Sequence, residues 1–121
     1  MEYTDDRTKC IELSKQCIEE CKSTAMLSKR LPNMEHCVEL CLQCADECEF
    51  LMTVCLSQSI SNPEYYDRCS QLCSDCAREC DRYDYMQFKK CAEMCRKFQL
   101  SPIFQSYQTH QPIPYPYRKA V

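Results

Sequence analysis

The inward-type positions of this chain recur at helical spacing, and most of them hold one residue type. Cys37, Cys41, Cys44 and Cys48 repeat as Cys69, Cys73, Cys76 and Cys80. Steps of four, seven and eleven residues return to nearly one side of an α-helix. The four sulfurs of each set therefore fall within an arc of roughly 60°. Cys55, 18 residues or about five turns beyond Cys37, continues the first line. Cys10, Cys17 and Cys21 make a third stripe, and Cys91 and Cys95 begin a fourth. All 14 cysteines fit these four lines, so the pattern predicts four helices whose shared core is lined by thiols.

Local signals set the boundaries. The first helix is expected from about Thr4 to about Lys29, with Pro32 and Asn33 as punctuation. Asn33 is the expected cap of a second helix running to about Leu56, with Glu35 in its first turn. Asn62 before Pro63 is a strong start signal for a third helix, which is expected to end near Arg82 or Tyr83. No Gly or Pro marks the next turn; Asp84 is the expected cap of a fourth helix reaching about Leu100. From Ser101 onward the chain holds four of its six prolines and three of its eight tyrosines. That composition predicts an extended or polyproline-like tail. The expected organisation is all-α: residues 1–100 form an antiparallel four-helix bundle with a cysteine-lined core, and residues 101–121 form the extended Pro/Tyr-rich tail.

The segments HCVELCLQCADEC and RCSQLCSDCAREC match at Cys, Leu, Cys, Cys, Ala, Glu and Cys, offset by 32 residues. A shared helical period alone explains the spacing. It does not explain the residue type, because ordinary cores fill such positions with Leu, Ile and Val. Duplication of a metal-binding helix explains both.

Composition narrows the function. The chain has no glycine, which argues against phosphate-binding loops and Rossmann turns. The formal net charge is -3 and no long charge run occurs, so neither nucleic acid nor a membrane surface is expected as a partner. The polar start MEYTDDRTKC does not resemble a signal peptide, and no segment is apolar enough to span a bilayer. A cytoplasmic location is expected. Thiols stay reduced there, and many cysteines mean metal or redox chemistry more often than disulfides. Cysteines one turn apart also project in parallel, which suits a disulfide poorly. On oxidation, disulfides between facing helices can still form.

Charge selects the ion. One Cu(I) per thiolate leaves a buried core neutral, and Cu(I) prefers soft sulfur ligands. Zinc wants closed groups of four thiolates, usually from knuckles on turns, whereas Cys41-x2-Cys44 and Cys73-x2-Cys76 lie inside predicted helices. Iron–sulfur clusters use differently spaced cysteines on loops. Neutral thiols act as small hydrophobes, so the bundle is expected to fold without metal, helped by Leu13, Ile18, Leu40, Leu51, Leu72 and Met94. No Glu-x-x-His pair is present for a di-iron site, and His36 and His110 are far apart in sequence. Cys37 with His36 makes no nucleophilic pair, since helix neighbours point about 100° apart. No catalysis is expected.

On HCVELCLQCADEC, RCSQLCSDCAREC and CAEMCRKF, the chain resembles the cysteine-rich four-helix-bundle copper storage proteins, a bacterial family, over roughly residues 5–99. The resemblance implies multiple Cu(I) ions held inside the bundle by Cys10, Cys17, Cys21, Cys37, Cys41, Cys44, Cys48, Cys55, Cys69, Cys73, Cys76, Cys80, Cys91 and Cys95. It also implies a homo-oligomer, with tetramers in well-studied members, no enzyme activity, and the cytosolic branch that lacks a signal peptide. Asp84 and Phe88 stand where relatives often carry further cysteine, and Ser14, Thr24 and Ser28 interrupt or extend the first stripe without thiols. Capacity is therefore expected below that of richer members.

One end of an up-and-down bundle gathers Met34, His36, Tyr83 and Met86 from three helices. Met34, His36 and Met86 are the candidate ligands of a mouth through which copper passes; the alternative is that the methionines fill the bundle end and His36 is solvated. Met52 is expected to pack. Lys89, Lys90, Arg96 and Lys97 are expected on a solvated face near a helix C-terminus. Two other functions compete with copper storage. One is a thiol-rich structural or cargo protein that docks a protein partner through its tail. The other is storage of a different thiophilic metal such as zinc.

Overall fold

The computed structural model describes residues 2–57 and 63–104, with side chains from residue 7 onward. Four helices occur in it: α1 (Glu2–Lys29), α2 (Glu35–Ser57), α3 (Pro63–Cys80) and α4 (Met86–Gln99). They pack in a ring, each against its two neighbours. The register is antiparallel throughout. Along α2 and α3, Cys48 faces Cys69, Cys44 faces Cys73 and Cys41 faces Cys76. Along α1 and α4, Cys17 faces Cys95 and Cys21 faces Cys91. Cys10 meets Cys55 at one end of the α1–α2 pair, and Ser28 meets Cys37 at the other.

The helix boundaries fall within a few residues of expectation, but two expected caps are absent. Asn33 does not cap α2. It adopts φ 59°, the left-handed turn conformation, and α2 begins two residues later. A chain without glycine must give that position to another residue, and Asn tolerates it best. Asp84 does not cap α4 either. Tyr85 holds the N-cap position without a side-chain cap, because Asp84 stands one residue too early to reach the free amides. Asp84 instead pairs with Lys89 at 2.9 Å. Pro63 opens α3 as expected; its proposed cap Asn62 lies outside the described residues.

The segment expected to be extended begins otherwise. Residues 102–104 make a helical turn, and Ile103 and Phe104 are buried. Phe104 meets Phe98 edge-on at 4.8 Å and Tyr66 at 6.0 Å. Apolar burial thus carries the packed bundle past Leu100. The remaining Pro/Tyr-rich residues lie outside the described ones. The opposite end is closed by aromatic contacts of its own: Phe88 is fully buried against Tyr83 at 5.0 Å and Tyr85 at 5.6 Å. Polar cross-links tie α4 to its neighbours. Gln87 Nε2 donates to Glu20 Oε1 and Thr24 Oγ1 on α1, and Gln99 Nε2 donates to the Ser70 carbonyl on α3.

Candidate metal centre

All 14 cysteines are buried and none is joined to another by a disulfide. Helical spacing accounts for their inward aim, and the antiparallel register brings the four stripes to one axis. Four groups of four sulfurs result, each with every sulfur within 4.8 Å of the others: Cys17, Cys44, Cys48 and Cys73; Cys17, Cys21, Cys44 and Cys95; Cys21, Cys76, Cys91 and Cys95; Cys41, Cys76, Cys80 and Cys91.

These tetrads follow one rule. Each takes an i, i+4 pair from one helix and one sulfur from each of that helix's two ring neighbours. The pair comes in turn from α2, α1, α4 and α3 (44/48, 17/21, 91/95, 76/80). The paired site therefore steps once around the bundle as it advances along the axis. Consecutive tetrads also share an edge of two sulfurs: Cys17 with Cys44, Cys21 with Cys95, and Cys76 with Cys91. The four groups are thus one continuous line rather than separate pockets. Sulfurs of facing helices lie 3.7–3.9 Å apart along it.

The remaining thiols extend the ends. Cys69 adjoins Cys48 at 3.8 Å. Cys37 accepts a hydrogen bond from the Ser28 hydroxyl at 3.5 Å. Cys10 and Cys55 pair at 3.3 Å. Hydrogen bonding sorts their protons. Bonding to Cys55, reinforced by burial, pushes the Cys10 thiol up, while the same bond pulls Cys55 down. Hydrogen bonds from Cys48 and Cys73 hold Cys69 down at about 6. Hydrogen bonds from Cys41 and Cys80 hold Cys37 down at about 3. Hydrogen bonds from neighbouring thiols also pull Cys17, Cys76 and Cys91 down inside the line, so lowered and raised thiols alternate along it rather than gathering at its ends.

The first stripe's non-cysteine positions also face inward. Ser14, Thr24 and Ser28 are buried. Ser14 Oγ donates to the Cys10 carbonyl at 2.6 Å and lies 4.0 Å from the Cys10 sulfur. Thr24 Oγ1 donates to the Glu20 carbonyl at 2.7 Å. The expected mouth residues separate in exposure. Met34 is buried, whereas His36 is exposed and Met86 is 71% exposed. A groove of about 420 Å³ beside Met34 is lined by Ser28, Lys29, Glu35 and Glu39 among others, and its lining residue Ser28 is the one that donates to Cys37. Sequence reasoning did not find Tyr66 and Phe104, which cover the opposite end. Tyr66 bonds to Cys55, and Phe104 packs on Tyr66. Met52 is half-buried against the core, and Arg96 pairs with Asp81 on the surface.

A buried, shared line of thiols across four helices has one evident chemical use, the holding of soft metal ions by thiolate. No helix among the described residues is long and apolar enough to cross a membrane. No curated protein and no solved structure matches the chain. The sequence model of one family does match, across residues 2–101 and hence across every cysteine, so the metal-storing bundle belongs to the copper storage protein family.

Proposed function

We propose that this protein sequesters multiple Cu(I) ions, without catalysis, on thiolates from all 14 cysteines. The edge-sharing of the four tetrads carries this reading. Ten sulfurs serve four groups, so neighbouring ions must share bridging thiolates. Four Zn(II) ions on those ten thiolates would leave two negative charges uncompensated in a buried core. One Cu(I) per thiolate leaves none. Loading exchanges each thiol proton for a metal charge.

The groove at Met34 supports a mouth at the α1–α2 turn, where a thioether hands the ion past Ser28 to Cys37. His36 and Met86 are solvent-facing helpers at that end. The protein acts in the cytoplasm, where its thiols stay reduced. It forms a homo-oligomer, a tetramer by family resemblance, and exposed Leu42, Phe50 and Leu56 on α2 supply apolar surface for it. Residues beyond Phe104 engage a protein partner.

The test is anaerobic titration of the reduced, metal-free chain with Cu(I) against a competing chelator, repeated with Zn(II). Tight uptake near one Cu(I) per thiol, with at most a few Zn(II), is expected. Zinc retained more tightly than copper would overturn the assignment of the ion. Sizing of the native protein tests the oligomer separately.

A further inference from the structure

Cys10 and Cys55 stand outside all four tetrads and face each other across α1 and α2. Three observations set them apart from the other thiols. Their sulfurs are 3.3 Å apart, closer than the 3.7–3.9 Å pairs of the shared line. They come from facing helices, whereas pairs such as Cys44 and Cys48 project in parallel from one. Cys55 alone among the cysteines reaches the surface, at 4% exposure against 0% for every other. The pair is therefore the one place where close approach, opposed direction and access coincide.

We propose that Cys10 and Cys55 form an oxidation site, in which a hydroperoxide converts the pair into a disulfide joining the start of α1 to the end of α2. The oxidant must be small, because the opening at Cys55 is slight. The Cys55 sulfur attacks the terminal oxygen of the hydroperoxide, and the O–O bond breaks. The leaving oxygen takes the Cys55 proton and departs as water or alcohol, leaving a sulfenic acid on Cys55. The Cys10 sulfur then attacks the Cys55 sulfur, and the displaced hydroxide leaves as water with the Cys10 proton. Two thiols are oxidised by two electrons and one hydroperoxide is reduced. About 1.3 Å of closure separates the resting sulfurs from a disulfide bond.

The disulfide removes two sulfurs from the end of the core and leaves every tetrad whole. Oxidation would then withdraw end capacity while bulk storage persists; this consequence, unlike the cross-link itself, rests on the storage reading above.

The experiment uses the full-length, metal-free chain treated with limiting hydrogen peroxide. Free thiols are counted and cross-links are located by peptide mass mapping. The expected result is loss of two thiols per chain, one Cys10–Cys55 linkage, and full reversal by dithiothreitol. In Cys10→Ser the linkage should vanish and a sulfenic acid should be trapped on Cys55. Cross-links scattered among the other cysteines overturn the proposal. So do 14 intact thiols under peroxide that oxidises a surface thiol on a control protein. The wild-type map decides even if the variant fails to fold. Reduced protein that takes up no copper overturns the storage reading alone; a mapped Cys10–Cys55 bond then still supports the oxidation site.

Discussion

Cys17 and Cys44 together form the edge between two consecutive tetrads, so each sulfur serves two groups at once. They come from different helices, and the sharing follows from the register that also sets Cys48 3.7 Å from Cys17. Loss of either sulfur should disturb two sites without severing the rest of the line. Replacing Cys44 with Ser should lower Cu(I) capacity by about one or two ions, because a neutral hydroxyl is a poor ligand for a soft ion. Adding Cys17→Ser should cost less than the sum of the two single changes, since both sulfurs belong to the same two groups. Adding Cys76→Ser should be close to additive, since Cys44 and Cys76 share no tetrad. Metal analysis of anaerobically loaded variants measures all three. Complete loss of copper from the single variant would mean one cooperative cluster instead of a shared line.

The metal-free protein should already be helical. Buried thiols pack as small hydrophobes, and Leu51, Tyr66, Phe88, Phe98 and Phe104 are all buried around them. Circular dichroism of reduced, metal-free protein should give a strong helical spectrum. A coil spectrum that becomes helical only on adding copper would refute this and make the metal the source of folding energy.

The contacts that hold the bundle together should extend to Phe104, which packs on Phe98 and Tyr66. Truncation after Phe104 should leave both stability and copper capacity unchanged. Truncation after Leu100 removes Ile103 and Phe104, and should destabilise the fold without removing any thiol. Phe104→Ala alone should cost about 3 kcal/mol, by analogy with other buried Phe truncations. Chemical denaturation of the three variants separates these cases. Equal stability of the two truncations would count against a packed Phe104.

Four helices and the inward aim of every cysteine were legible in the sequence because both depend only on the 3.6-residue period. The pairing across helices was not. Whether Cys44 lies with Cys76 or with Cys73 depends on the axial offset between α2 and α3, which periodicity leaves free. The structure sets Cys44 3.7 Å from Cys73 and Cys41 3.7 Å from Cys76. Asn33 and Asp84 were read as caps because their types favour caps. The actual turn geometry gave one a left-handed conformation and the other an ion pair with Lys89. Phe104 was hidden by its setting, since prolines on either side of Ile103 and Phe104 outweighed an apolar pair whose burial only the bundle end reveals.

The surface pair between Asp81 and Arg96 should give a small, acid-sensitive contribution to stability. A hydrogen bond from Arg96 holds the Asp81 carboxyl below its ordinary range. A depressed carboxyl stabilises the fold above its unfolded pKa of about 3.9, and that contribution fades as pH falls through the folded value. Both side chains are about half exposed, so solvent screening limits the effect to about 0.5 kcal/mol. Asp81→Asn should therefore lose about that much at pH 7. The gap to the unsubstituted protein should close well below pH 4. Urea denaturation of the metal-free proteins at both pH values measures it. A gap that widens in acid would contradict the sign.

The first helix carries the same Cys-x3-Cys-x2-Cys-x3-Cys frame as α2 and α3, with Ser14 in place of the second cysteine. The structure turns that substitution into a break in the line. Ser14 is fully buried, and its hydroxyl lies 4.0 Å from the Cys10 sulfur, between the Cys10–Cys55 pair and the tetrads. Ser14→Cys should close the gap and raise capacity by about one ion, because a soft ligand then stands where a hard one stood. The change forfeits the hydrogen bond from Ser14 to the Cys10 carbonyl, at a cost of about 1 kcal/mol. The metal-free variant should therefore be slightly less stable and the loaded variant should hold more copper. Opposite movement of two readouts, denaturation midpoint and bound metal, distinguishes this from a general gain or loss of folding. Unchanged capacity in a folded Ser14→Cys protein would mean that ions do not span the interval between Cys10 and Cys17, and that the end pair and the tetrads fill independently.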